Sequence, residues 1–248
     1  NNRRPPFDDV RVRRGLALAL DRQEIIDALL YGQGQIATST VPPWHPLYPD
    51  DVEPLTRDLA GARQLLEEAG WTDTNGDGVL DNDGQPLEFE LLTSDDALRR
   101  SVSEVIQAQL RDVGARANIR VTEFQTMLAA HRAREFDAVF TNWVLDNFQV
   151  ASAPNALMHS ANAAVENSAN RSSVAIPELD ALIERAAAAT DQATAQQLWG
   201  DFTRLVQQTQ PMTFMFWLNE MAGVRQEVEG VEMDPRGELR TIRDWSVR

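Results

Sequence analysis

The stretch Asp73-Thr74-Asn75-Gly76-Asp77-Gly78-Val79-Leu80-Asp81 is the sharpest local pattern in the chain. Oxygen-bearing side chains alternate at Asp73, Asn75 and Asp77, and Gly78 falls sixth, where a calcium loop turns sharply. Val79 could offer its carbonyl, and Asp81 stands ninth. The twelfth position, where a calcium loop carries a bidentate Glu, is Gly84, with Asp83 offset beside it. Two readings stand. A structural calcium ion could neutralise Asp73, Asp77, Asp81 and Asp83. Alternatively, Asn75-Gly76, Asp77-Gly78 and Asp83-Gly84 are turn dipeptides that shape a small hairpin.

A second constellation is Phe140-Thr141-Asn142-Trp143-Val144-Leu145-Asp146. A strand running into this stretch ends in an aromatic, with a carboxylate three residues on. Ligands of open α/β sheets gather where strands run out into loops. Trp143 could stack on a ligand and Asp146 could hold a cationic group; a core Trp and a loop-capping Asp would read the same way. Trp44, with His45 and Tyr48, sits in a proline-rich connection, where it either contacts a ligand or pins the loop.

Signatures of catalysis are missing. His45, His131 and His159 are not spaced with another His or a Glu as a helical metal motif would require. There is no Gly-x-Ser-x-Gly elbow, phosphate loop or dinucleotide fingerprint. Carboxylates are abundant, but abundance is not a catalytic pair. The expectation is a protein that binds and does no chemistry.

Bulk properties agree with a globular protein. The 248 residues are 43% hydrophobic and 25% charged, enough for one large domain or two modest ones. The longest apolar candidate, Gly15 to Leu20, is far too short to span a bilayer. A net charge of -15 repels phosphate backbones and anionic lipid, so no nucleic-acid partner is expected. Absence of cysteine excludes disulfide and thiol chemistry. All 23 basic residues are Arg. The opening, Asn1 to Pro6, carries no signal peptide and reads like the middle of a longer chain.

The elements that must position these residues follow from periodicity. Asp8 or Asp9 caps a helix to about Leu20, and Asp21 starts another with Glu24 completing an Asp-x-x-Glu capping box. Residues 32–54, with five prolines, read as a long loop. Asp58 caps a helix through Ala69. Strands are expected at 87–93, 117–124 and 137–144, with helices from Asp95 or Asp96 and over 126–134. This alternation predicts an α/β fold, a central mixed sheet flanked by helices. Residues 147–176 read as irregular. Two helices, with Leu179, Leu182 and Ile183, then Leu198, Phe202 and Leu205 inward, precede strands at 212–218 and 222–228.

Taken in order, these segments resemble the peptide/nickel/opine class of ABC solute-binding proteins, the family of dipeptide- and oligopeptide-binding proteins. The resemblance is carried by Arg4-Pro5-Pro6-Phe7 through Asp21-Arg22, by Ala69-Gly70-Trp71 ahead of the Asp/Gly turn, and by Phe136-Asp137-Ala138 leading to Trp143 and Asp146. Pro177 to Ile183, Pro211 to Trp217 and Val228-Glu229-Gly230-Val231 continue it. It implies the second lobe of a two-lobed periplasmic-binding-protein-like clamshell, residues 1–211, with 212–248 crossing back to a first lobe. It also implies a monomeric, periplasmic or extracytoplasmic protein that captures a peptide or related small polar ligand and delivers it to an ABC permease and its ATPases. The role carried to Asp146, beside Trp143, is to hold a peptide's terminal amine. The family often follows this Asp with an acidic residue and Pro; here Asn147-Phe148 follows, which puts the loop shape in doubt. A sensor lobe fused to a transcription regulator is the alternative.

Overall fold

A computed structural model describes residues 1–144, 150–232 and 241–248. The chain divides into two compact units, Asn1–Trp217 and Leu218–Arg248.

The first unit opens with helices α1 (Val10–Leu18) and α2 (Arg22–Leu29), followed by strand β1 (Gly34–Ile36) and helix α3 (Leu59–Glu68). Each helix starts where a short acidic side chain satisfies a free amide of the first turn. Asp9 accepts from Arg11 N, Asp21 from Glu24 N, and Asp58 from Gly61 N. The return half of the expected capping box is not made within α2. The amide of Asp21 instead donates to Gln109 Oε1 (2.9 Å), and Gln109 Nε2 donates to Glu24 Oε2 (2.8 Å). A distant helix thus completes the cap.

A small hairpin, β2 (Asp81–Asn82) and β3 (Gln85–Pro86), then leads into β4 (Glu88–Ser94), α4 (Ala97–Arg111), β5 (Arg116–Thr122), α5 (Phe124–Ala133) and β6 (Ala138–Val139). Strands β5, β4 and β6 form a parallel sheet in that order. Parallel neighbours need crossover connections, and α4 and α5 supply them. Phe89 and Leu91 face one core with Val12, Leu16, Leu66, Val102 and Ile106; Leu92 faces the other with Met127 and Phe136. Gly114, in the turn between α4 and β5, has φ +75, and a Cβ there would lie 2.8 Å from Leu80 Cγ. Both the backbone angle and the close approach require glycine.

Helices α6 (Ser152–Met158), α7 (Pro177–Ala188) and α8 (Gln192–Thr209) build a separate core around Trp199, Phe202, Leu179, Ile183 and Met158. Strand β7 (Phe216–Leu218) pairs with β1. In the second unit, β8 (Val228–Glu229) and β9 (Ser246–Val247) pair antiparallel, and Trp245 Nε1 donates to Thr241 Oγ1 (3.0 Å).

Four expectations change. The loop 32–54 contains β1, too short at three residues to show an alternation. The strand expected over 137–144 is paired only at Ala138–Val139, because beyond it the Phe140 carbonyl is taken by the Thr93 hydroxyl (3.3 Å) and not by a strand amide. The irregular stretch 147–176 holds α6. The strands expected at 212–218 and 222–228 shrink to β7 and β8.

Buried arginines hold the connections. Arg22 is 7% exposed. Its guanidinium donates to the carbonyls of Ala37 (3.0 Å), Phe214 (2.8 Å) and Leu55, from three separate segments. Among the described residues no carboxylate pairs with it, and burial lowers its pKa to about 10. Arg13 likewise donates to Phe7 O and to Thr209 O at the end of α8. Replacing Arg22 by Met would leave three carbonyls without donors. Urea denaturation of Arg22→Met is expected to show a loss of about 3 kcal/mol or more; a loss below about 1 kcal/mol would refute this bracing role.

Candidate functional site

The carboxyl ends of β5, β4 and β6 lie on one edge of the parallel sheet, as parallel pairing demands. Ser94 ends β4, Thr122 ends β5, and the chain leaves β6 through Phe140 and Asn142 to Trp143. Arg99, in the first turn of α4, ties this edge together. Its Nη1 donates to Ser94 Oγ (2.8 Å) and its Nη2 to Asn142 Oδ1, while the guanidinium lies 5.2 Å over the Phe124 ring. A cation in the first turn opposes the helix dipole, so its position answers to these partners rather than to the helix.

Trp143 remains 38% exposed. The Arg171 guanidinium sits 4.8 Å over its ring, and His131 approaches it edge-on at 6.4 Å. Such cation–π contacts favour a positioned ring. Arg171 Nη1 is 3.3 Å from His131 Nδ1. Guanidinium only donates, so Nδ1 must be the acceptor and the imidazole neutral. His131 is 4% exposed. Burial first, then the positive charge of Arg171, lower its pKa to about 4. Asp146 lies outside the described residues.

Trp44 has a different neighbour. It is 52% exposed, and its ring meets Trp217 edge-on at 5.4 Å. The surrounding loop is tied to α8, where Gln196 Nε2 donates to Tyr48 O (2.9 Å). A groove of about 540 Å³ lies elsewhere, between residues 5–10 and Ala69, Trp71 and Asn82, and none of the expected ligand-facing residues lines it.

In the Asp/Gly loop the carboxylates face backbone amides. Asp73 accepts from Gly76 N (2.8 Å) and Gly78 N (3.0 Å), and Asn75 Oδ1 from Asp77 N (2.9 Å). Asp77 accepts from Val79 N (2.8 Å), and Asp81 from Thr74 N (2.9 Å) and Oγ1. Those bonds from Thr74 hold the Asp81 carboxyl below its usual range. Asp83 and Gly84 turn the β2–β3 hairpin with positive φ at both, the geometry that an Asp-Gly pair favours. Among the described residues no three His, Asp or Glu side chains are grouped so that they could hold a metal ion.

The sequence reading missed Arg171, Arg99 and His131. Arg171 lies 28 residues beyond Trp143, in a stretch without periodicity, so only folding brings the pair together. Once folded, the adjacent Asn170 is wholly buried and bonds both Val174 N and Val174 O (2.8 Å each), a turn that presents Arg171.

Two outcomes follow. An unfolded His131 binds its proton near pH 6.5, whereas the folded one resists until about 4. The unfolded state therefore gains protons first, and stability falls as pH drops from about 6.5 to about 4, by up to about 3 kcal/mol. Denaturant titrations at both ends of that window should show the His131→Gln variant losing less than the parent; equal losses would remove His131 as the cause. For the Asp/Gly loop, the turn geometry expects calcium to leave the melting temperature unchanged, and a rise reversed by a chelator would assign an ion to it.

Among the described residues no helix is long and apolar enough to cross a membrane. Residues 1–164 match the family described as bacterial extracellular solute-binding proteins, family 5 Middle. The chain is 29% identical over 99% of its length to the oligopeptide-binding protein AppA of Bacillus subtilis (strain 168), covering 45% of that protein. It is 30% identical over 96% to a probable di/tripeptide-binding protein 5 of Pseudomonas aeruginosa, covering 43% of it. The chain thus spans less than half the length of these relatives. The structure of AppA in complex with a nonapeptide superposes with a TM-score of 0.85 at 27% identity, over 100% of this chain and 49% of that one. NikA from Brucella suis in complex with Fe(III)-EDTA gives 0.73 at 26% identity, over 88% and 44%. These relatives are binding proteins rather than enzymes, and the fold is that of a periplasmic-binding-protein lobe. The chain belongs to the family 5 bacterial extracellular solute-binding proteins.

Proposed function

We propose that this chain is the second ligand-binding lobe of an extracytoplasmic solute-binding protein of an ABC importer, which buries a peptide or related small polar solute between two lobes and releases it to a permease driven by ATPases. The observation that carries the reading is the likeness to AppA over the whole chain, together with a half-exposed Trp143 held at the carboxyl edge of a parallel sheet. In this reading residues 1–211 make the lobe, and the stretch from about Met212 returns to a first lobe. The protein works as a monomer, and closure of the lobes is what gives affinity. Trp143 stacks on the ligand, Asp146 holds its amino group through a charge-assisted hydrogen bond, and Trp44 belongs to the same face. No step of chemistry is assigned. The sensor alternative draws no support from the relatives cited.

Native mass spectrometry of the full-length protein, purified from its own host, tests the reading. A retained small polar solute of constant mass is expected, and conversion of that solute by the protein would overturn it. In the same full-length protein, Asp146→Ala is expected to weaken binding of an amine-bearing solute about tenfold or more; unchanged affinity would refute the anchor role.

A further inference from the structure

We infer that Arg171 is a specificity-determining residue that reads an anionic group, a carboxylate or its equivalent, on the solute that stacks against Trp143. The inference rests on the proposed solute-binding reading and names the chemistry that site selects.

Four observations carry it. First, Arg171 has no ion-pair partner among the described residues; its polar contact is the neutral Nδ1 of His131 at 3.3 Å. Two other arginines nearby are committed. Arg99 is used by Ser94 and Asn142, and Arg134 by Val165 O (2.9 Å), Ser168 Oγ (3.2 Å) and Asn170 O (3.3 Å). Second, the guanidinium is half-buried and its Nε is enclosed without a hydrogen-bond acceptor. A half-buried cation with incomplete bonding is costly unless something completes it. Third, the charge that bears on it is that of Arg132, another cation. A net charge of -15 makes a local pair of cations the exception on this surface, and such a spot attracts anions. Fourth, the Arg171 guanidinium carbon lies 4.8 Å from the centre of the Trp143 ring. That contact places the guanidinium beside the exposed ring, and its planar fork matches a carboxylate in two parallel bonds.

A purely mechanical role, Arg171 holding the Trp143 ring, predicts different behaviour. It would lower affinity for every solute alike. Anion reading changes the preference between a charged solute and its neutral counterpart, because a buried guanidinium discriminates by charge and by the second hydrogen bond.

The full-length protein, its Arg171→Gln variant and its Arg171→Lys variant are titrated calorimetrically with trialanine and with trialanine amide, after melting curves confirm that each folds. The parent is expected to prefer the acid about tenfold or more, Arg171→Gln to bring that ratio close to one, and Arg171→Lys to keep part of it. An acid-to-amide ratio in Arg171→Gln equal to the parent's overturns the inference. A parent that binds neither peptide rejects the peptide reading instead. The inference is then decided with a simple anion: melting temperatures in sodium acetate against sodium chloride at equal ionic strength. An acetate-specific rise in the parent that Arg171→Gln lacks supports it, and identical responses overturn it.

Discussion

Everything at the candidate site depends on β4 being the centre of a parallel sheet. A strand with parallel neighbours on both sides forms no tight hairpin with either, so each neighbour must be reached through a helix. Helices α4 and α5 therefore lie on opposite faces, and both faces of β4 become core: Phe89 and Leu91 on one side, Leu92 on the other. The same geometry puts all three strand exits on one edge. There the ladder stops and its bonding passes to side chains. Thr93 binds the Phe140 carbonyl, and Arg99 spans Ser94 and Asn142. Trp143 is held at that edge as a consequence, half-exposed because the sheet beneath it has ended.

Arginine does much of the remaining positioning. The chain has no lysine, and guanidinium suits the task better, since its donors fan out in a plane and reach several carbonyls at once. Arg22 gathers three segments, Arg13 closes the end of α8 onto the residues before α1, and Arg134 secures the stretch after α6. These contacts replace secondary structure in the long connections, whose carbonyls would otherwise be buried without donors. Arg171 differs from them in holding no carbonyl among the described residues, and it lies against the exposed aromatic.

Much of the scaffold was legible. Asp9, Asp21, Asp58 and Asp96 cap helices close to where their sequence neighbours indicate, because capping is decided within four residues. The apolar stripes of α4, α7 and α8 became core faces for the same local reason. Short strands escaped: β1 has three residues and β6 two, and neither length can display a period. Of the site, Trp143 was legible as a candidate, although inside an expected strand that ends at Val139, whereas Arg171 and His131 were not, since neither is near Trp143 along the chain.

The sequence by itself determined the α/β order and the capped helices, and it carries no catalytic signature. Each rests on residues close enough to interact before the chain is folded. Only the tertiary structure decided that Gln109 completes the cap of α2 and that Arg171 covers Trp143 beside a neutral His131. Those depend on groups brought together from distant positions, and on burial, which sets whether a charge finds water, a partner or neither.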